Sequence, residues 1–307
     1  MSMRSLLVAC ALLAGPVACR PRSNATRAPA NEHALYEGRT GAPMDLADFV
    51  GAAGDADFVV FGELHGHPVG ARYELDLLRA LARGDRPLVL AMEFFEADQQ
   101  ADLDAYLAGA LDEAAFRERT HRTDVYDRGH RALIELCKTR GIPVLAANAP
   151  RRLVRGYRTF GGSSYDAYLA SLSSEDRALL PRSVTPPSDA FRRKFLDFMG
   201  PKRGPAFLPS MLLWNDAMAE SAAEARARDP RVRVLLVVGA FHVAGGLGLV
   251  ESYRARRPDD TVQTLVMVPV SDGPLHLRDE QRGEGDAVLL VRPAPEPPPA
   301  AGGATKR

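Results

Sequence analysis

Residues 57–84 read DFVVFGELHGHPVGARYELDLLRALARG. DFVVF (57–61) is a β-rich apolar run cut off by Gly62. From Pro68 to Arg83, apolar residues recur at Val69, Tyr73, Leu77, Leu78 and Leu81, the spacing of one helical face, and Gly84 stops the pattern. A strand followed by a covering helix is half of a βαβ unit, and the alternation repeats downstream. PLVLAME (87–93) is a strand, Asp98–Leu107 a helix, 125–140 helical again and IPVLAAN (142–148) a third strand. RVLLVVG (233–239) and TVQTLVMVPV (261–270) follow, with DAVLLVR (286–292) expected at an edge. Strands this rich in Val and Leu, separated by helices, specify an α/β fold with a mostly parallel central sheet flanked by helices. The stretch 150–230 is mostly helical and carries the only tryptophan, Trp214. It reads as a helical insertion between the third and fourth core strands. A short hairpin over ALYEGRTGAPMDL (34–46) is expected before the first strand.

The two ends differ from this pattern. Arg4 precedes an apolar run from Leu6 to Ala18, too short to cross a bilayer but laid out as a secretory signal. Val17-Ala18-Cys19 resembles a bacterial lipobox, with Cys19 as the lipidated first residue of the mature chain. The expected order is a signal peptide (1–18), a lipidated polar tether (19–34), the folded domain (35–292) and a disordered Pro/Gly tail (293–307). Diacyl anchoring would hold the chain to a membrane, facing the periplasm. Cys137, in the apolar rhythm of LIELC, reads as a small core residue, so the fold owes nothing to an internal disulfide.

Composition removes several function classes. The 307 residues carry 39 Lys+Arg against 39 Asp+Glu, so the cationic excess that drives nucleic-acid binding is missing. There is no GxSxG elbow, no Walker phosphate loop, no strand leading into GxGxxG and no CxxCH for covalent haem.

What remains is polar chemistry at strand ends, where ligands bind in open parallel sheets. The first strand is followed by Gly62-Glu63-Leu64-His65-Gly66-His67. If the chain stays extended there, Glu63, His65 and His67 share one side. The second strand ends in Glu93, the third in Asn148, and the fourth runs into Gly239-Ala240-Phe241-His242. Singly, each has an ordinary explanation: Glu63 and His65 as caps, Glu93 paired with an arginine, His242 as a satisfied half-buried imidazole. Jointly, Glu63, His65, Glu93 and His242 form the donor set of a zinc or similar divalent site, or the base, acid and orienter of a metal-free hydrolase. His33, His121, His130 and His276 read as ordinary loop or helix residues. The arginines of RRLVRGYR (151–158) and FRRKF (191–195) read as solvated faces able to meet carboxylates or lipid headgroups.

FGELHGH (61–67), LAMEFFEADQQADLDAYLAG (90–109), IPVLAANAPR (142–151), WNDAMAE (214–220) and VVGAFHVAGGLGL (237–249) together resemble the ChaN-like haem-binding uptake family. That family sits in one superfamily with the Tiki/TraB-like and erythromycin-esterase-like proteins, and the resemblance spans about residues 34–270. It implies a bacterial lipoprotein with an α/β fold and helical insertion, engaged in haem and iron acquisition. Haem would lie between two subunits of a homodimer with tyrosine as a ligand. Among the eight tyrosines are Tyr73, Tyr126 and Tyr157, and spacing singles out none of them. The Tiki-type relatives are metal-dependent proteases and the erythromycin esterases are hydrolases. Carried over from them, Glu63, His65, Glu93 and His242 would form the active centre. Haem and iron uptake is the first expectation; hydrolysis by that cluster, with or without a divalent metal, is the second.

Overall fold

The computed structural model describes residues 32–122, 124–160 and 164–294. The signal segment, Cys19, nearly all of the tether and nearly all of the 293–307 tail lie outside the described residues. In chain order the elements are β1 (His33–Glu37), α1 (Leu46–Ala52), β2 (Phe58–Glu63), α2 (Pro68–Leu81), β3 (Leu88–Glu96), α3 (Gln100–Leu107), α4 (Glu113–Arg119), α5 (Arg131–Arg140) and β4 (Val144–Asn148). There follow α6 (Arg151–Thr159), α7 (Tyr165–Ala170), α8 (Ser174–Ala178), α9 (Asp189–Arg228), β5 (Arg233–Gly239), α10 (Leu249–Arg256), β6 (Val262–Pro269) and β7 (Ala287–Val291).

The strands form one sheet in the order β1-β7-β6-β2-β5-β3-β4, parallel throughout except for β1 against β7. Period-2 alternation splits the strands between two cores. Val59, Phe61, Leu90, Met92, Leu235 and Val237 pack with Leu77 and Leu78 of α2 and with α5 on one face. Phe58, Val60, Ala91, Val234, Leu236 and Val238 pack on the other with Met218 and Ala222 of α9 and with α10. Burying one such aliphatic or aromatic side chain contributes about 1.5–3 kcal/mol, which is why β2 and β5 are apolar along nearly their whole length. The fold is the expected α/β architecture, with α6 to α9 as the insertion between β4 and β5. Among the described residues no helix is long and apolar enough to cross a membrane.

The expected hairpin is present in short form: the return arm pairs Pro43 with Tyr36, flanked by bonds from Glu37 N to the Ala42 carbonyl at 2.9 Å and from Met44 N to the Leu35 carbonyl at 3.0 Å. One local expectation is corrected. His33–Glu37 also pairs with β7 over five residues, so β7 is not the sheet edge: Ala287–Val291 is fully buried between β6 and β1. At the opposite edge, Gln100 stands in for a neighbouring strand. Its Nε2 donates to the Val144 carbonyl at 2.9 Å and its Oε1 accepts from Ala146 N at 2.7 Å, so this side-chain amide occupies backbone groups that would otherwise be open.

α9 is bent at Gly200, whose φ of 76° and ψ of 162° end one helical segment; Pro201 opens the next. The bend brings the aromatic segment before it back over the sheet's carboxyl end, where Phe198 packs on Phe241 at 4.7 Å between ring centroids.

Candidate functional site

β2, β3 and β5 are neighbours in the sheet, so the groups at their carboxyl ends meet. Glu63 is the last residue of β2 and is 3% exposed. Its Oε1 accepts from His65 Nδ1 at 2.8 Å and its Oε2 from His130 Nε2 at 2.9 Å. Burial pushes the carboxyl up, but the hydrogen bonds from His130 and His65 outweigh it and hold Glu63 well below the usual carboxylate range. Glu74, on the buried face of α2, is shifted the opposite way. Burial, the Glu63 charge and a hydrogen bond to Glu63 raise it well above the ordinary value. Of the two carboxyls, Glu74 is therefore the one disposed to hold a proton and Glu63 the one disposed to carry the charge.

The β3–β4 register shifts between Met92 and Glu96, and this irregularity aims Glu93 across the sheet end toward β5. Glu93 Oε2 accepts from Gly239 N at 2.6 Å, and Oε1 stands 3.5 Å from His242 Nε2. Burial opposes ionisation of Glu93, but the His242 charge and hydrogen bond, the Gly239 N–H and the His65 charge together lower its pKa. His242 lies on the short turn Ala240–His242 after β5, and Asn215 Oδ1 of α9 accepts from its Nδ1 at 2.6 Å. Gly239 is where the two halves of the array meet. A Cβ there would lie 2.9 Å from His65 Cε1 and 3.4 Å from Glu93 Oε2, so any larger residue would displace the His65 ring from its present place.

The result is one continuous polar array: Glu74, Glu63, His130 and His65, then Glu93, His242 and Asn215. All four residues singled out from the sequence belong to it. His65 is its accessible member, with a side chain 53% exposed. Its hydrogen bond to the Glu63 carboxylate raises its pKa, against the effect of burial and with help from Glu93.

His67 does not join. β2 stops at Glu63, and the turn through Gly66 (φ 69°) breaks the alternation that would have kept His67 on the side of His65. His67 instead caps α2, accepting from Val69 N at 3.2 Å and donating to the Arg292 carbonyl at 2.8 Å. His130, read from the sequence as an ordinary helix residue, is a full member at 3% exposure, and Phe94 lies against its ring at 3.8 Å between centroids. Glu74 and Asn215 were not singled out either.

Among the described residues, the ligand atoms close enough together for one ion belong to Glu63, Glu74 and His130, all within 4.8 Å of one another. This is not the set Glu63, His65, Glu93 and His242 expected from the sequence. The trio is buried, whereas a catalytic zinc keeps one position open to water or substrate.

The raised pKa of Glu74 carries a testable sign. Because the folded pKa of Glu74 lies above its unfolded value of about 4.3, the folded chain holds a proton the unfolded chain releases. Stability then falls as pH rises between the two values, by at most about 1.4 kcal/mol per unit. Glu63 works in reverse: its contribution is present above the unfolded pKa and is lost as pH falls through the folded one. Glu74→Gln takes up no proton yet keeps an N–H for Glu63. Its melting temperature is expected to gain on wild type as pH rises above 5, and a gap that stays constant with pH would refute the protonated Glu74.

Two cavities open on the array and share Glu93, Asn148 and Arg151. One, of about 440 Å³, is lined by His65, His130 and Tyr126; the other, of about 400 Å³, by His242 and Trp214.

The family described as "Haem-binding uptake, Tiki superfamily, ChaN" matches residues 49–252, which include every member of the array. The fold is similar to that of ChaN of Campylobacter jejuni, a structure reported for cofacial haem binding. Identity is 12% and the TM-score 0.60, over 85% of this chain and 97% of that one. The type III effector HopBA1 matches at 14% identity and a TM-score of 0.49, over 86% and 98% of the two chains. An erythromycin esterase variant in its open conformation matches at 11% and 0.45, over 77% of each. No curated relative matches the sequence.

Proposed function

The chain belongs to the ChaN haem-binding uptake family of the Tiki superfamily, and from that membership we propose that it binds haem for iron uptake, as an exported lipoprotein of the cell envelope. One observation carries the haem reading: the half-exposed imidazole of His65 at the mouth of a cavity, its Nδ1 fixed by the Glu63 carboxylate. Metal-ligating histidines characteristically donate their other ring N–H to a carboxylate, which fixes the ring and raises its basicity. His65 Nε2 is the atom left to meet iron.

The tyrosines fit less well. Tyr36, Tyr106, Tyr165, Tyr168 and Tyr253 donate their hydroxyls to internal acceptors. Burial raises Tyr73 to about 12 and pushes Tyr126 and Tyr157 up as well. A tyrosinate ligand needs the opposite shift. The aromatic pair Phe198 and Phe241, with Phe198 69% exposed, offers an apolar face for a macrocycle next to His242 in the chain.

Hemin titration of the purified protein tests this. A saturable Soret band is expected, shifted or lost in His65→Ala and kept in Tyr73→Phe; weak, non-saturable adsorption would overturn it. Hemin-dependent dimerisation, read by sedimentation, tests the two-subunit arrangement. The anchor rests on the sequence pattern of Arg4, Leu6–Ala18 and Cys19. It is tested by palmitate labelling that Cys19→Ser abolishes.

Hydrolysis remains a second reading on a separate observation, the Glu93–His242–Asn215 relay, in which a carboxylate and an amide flank one imidazole. Turnover in an esterase and peptidase panel, lost in His242→Ala but not in a stably folded surface variant, would favour it.

A further inference from the structure

The 400 Å³ cavity between α6 and α9 is within the size range of small-molecule sites, and hydrogen-bond donors are concentrated on its two helical walls. From α6 come Arg151, Arg155 and Arg158, spaced to share one helical face. Arg151 reaches Glu96 at 3.4 Å, and Arg158 lies over the Phe207 ring at 4.3 Å. Among the described residues, the Arg155 guanidinium has neither an ion pair nor a hydrogen bond. Arg152, off this face, is engaged by Asp98 and Asp176.

From α9, one helical turn apart, come Ser210 and Trp214. Ser210 is only 2% exposed. Neither its Oγ nor the buried Trp214 Nε1 has a hydrogen-bond partner among the described residues. Helical hydroxyls ordinarily bond back to the preceding turn, as Thr120, Thr139 and Thr159 do here. Buried N–H and O–H groups without an acceptor are rare in folded proteins. Indole and guanidinium groups can only donate, so this part of the wall favours a partner that accepts. The carboxylate on this wall, Glu93, is already turned to Gly239 N and His242.

We propose that this cavity is an oxyanion subsite, which receives a carboxylate or phosphate group of the ligand handled at the Glu/His array. Trp214 Nε1 and Ser210 Oγ donate to its oxygens, and Arg155 and Arg158 supply charge and forked donors. In the haem reading the carboxylate is a propionate, but the donor set does not depend on iron.

Trp214 is the only tryptophan of the chain, so its emission reports on the cavity directly. The protein is titrated with inorganic phosphate and separately with glutarate. A saturable emission change is expected for at least one anion, with binding weakened about tenfold or more in Arg155→Ala/Arg158→Ala and unchanged in Arg152→Ala. Arg155 is exposed and Arg158 half-buried over Phe207, so neither substitution opens the core, and circular dichroism of the double variant checks the fold. Hemin and its dimethyl ester, which masks both carboxylates, form the second arm, read by the Soret band. Hemin is expected to bind about tenfold tighter than the ester, and only hemin should weaken in the double variant. Phosphate or glutarate preference identifies the oxyanion. If hemin fails to bind while the anions still act through Arg155 and Arg158, the haem reading falls and the subsite stands. If neither anion changes Trp214 emission and the double variant binds hemin as wild type does, the subsite is overturned.

Discussion

Glu63→Ala is expected to lose about 3–5 kcal/mol of stability, the cost of breaking a buried ionic network by removing one partner, and with it ligand binding. Both carboxylate oxygens are engaged, one by His65 and one by His130. Alanine leaves the His130 ring, 3% exposed, without its acceptor, and it removes the carboxyl hydrogen-bonded to buried Glu74. It also frees the His65 ring to rotate, because Glu63 is the group that fixes its Nδ1. Glu63→Gln is expected to lose less, since its amide oxygen still accepts from one imidazole while its NH2 opposes the other. Urea denaturation at pH 7 measures both, and hemin titration of each folded variant measures the second consequence. A loss below about 1 kcal/mol for alanine would mean that the array is not the buried ionic network described.

The sheet and the convergence of Glu63, His65, Glu93 and His242 were legible because parallel strands announce themselves as apolar runs, and the residue that ends such a run is fixed in space by the sheet. Nothing comparable marks a helix-borne member, yet two of the omissions left a trace. His130 lies three, four and seven residues before Leu133, Ile134 and Cys137, which puts it on the apolar stripe of α5 extended back by one turn. Glu74 sits three and four residues before Leu77 and Leu78, inside the buried stripe of α2. A titratable group on a stripe that must be buried requires a buried partner, and that requirement was the signal. His67 failed for the converse reason, since alternation holds only while the strand continues. Asn215 had no comparable mark: its pairing with His242 depends on how the insertion folds back on the sheet, a long-range matter that local spacing does not encode.

A second buried ionic network lies at the opposite end of the strands and separates stability from function. Arg226 of α9, 5% exposed, meets Asp260 at 3.0 Å and Asp57 at 2.7 Å and donates to the Val232 and Pro230 carbonyls. Asp57 precedes β2 and Asp260 precedes β6, so this guanidinium ties together the amino ends of two adjacent strands. Arg226→Ala is expected to lose about 3 kcal/mol, the lower end for a broken buried pair, because Asp57 keeps Arg86 and Asp260 keeps Arg257 and Tyr253. Burial raises both aspartates, but their hydrogen bonds and the Arg226 charge win and hold them below the ordinary value. The stability they confer is therefore present above the unfolded pKa of about 3.9 and is lost as pH falls through the folded values. The gap between wild type and Arg226→Ala should accordingly shrink in acid. Glu63→Ala and Arg226→Ala thus weaken the fold by comparable amounts from opposite ends of the same strand, and only the first touches the groups that meet a ligand. Where both variants are folded, hemin binding and the Trp214 response should survive in Arg226→Ala and fail or weaken in Glu63→Ala. Equal failure in both would show that binding follows global stability, and the array would then lose its claim to be the site.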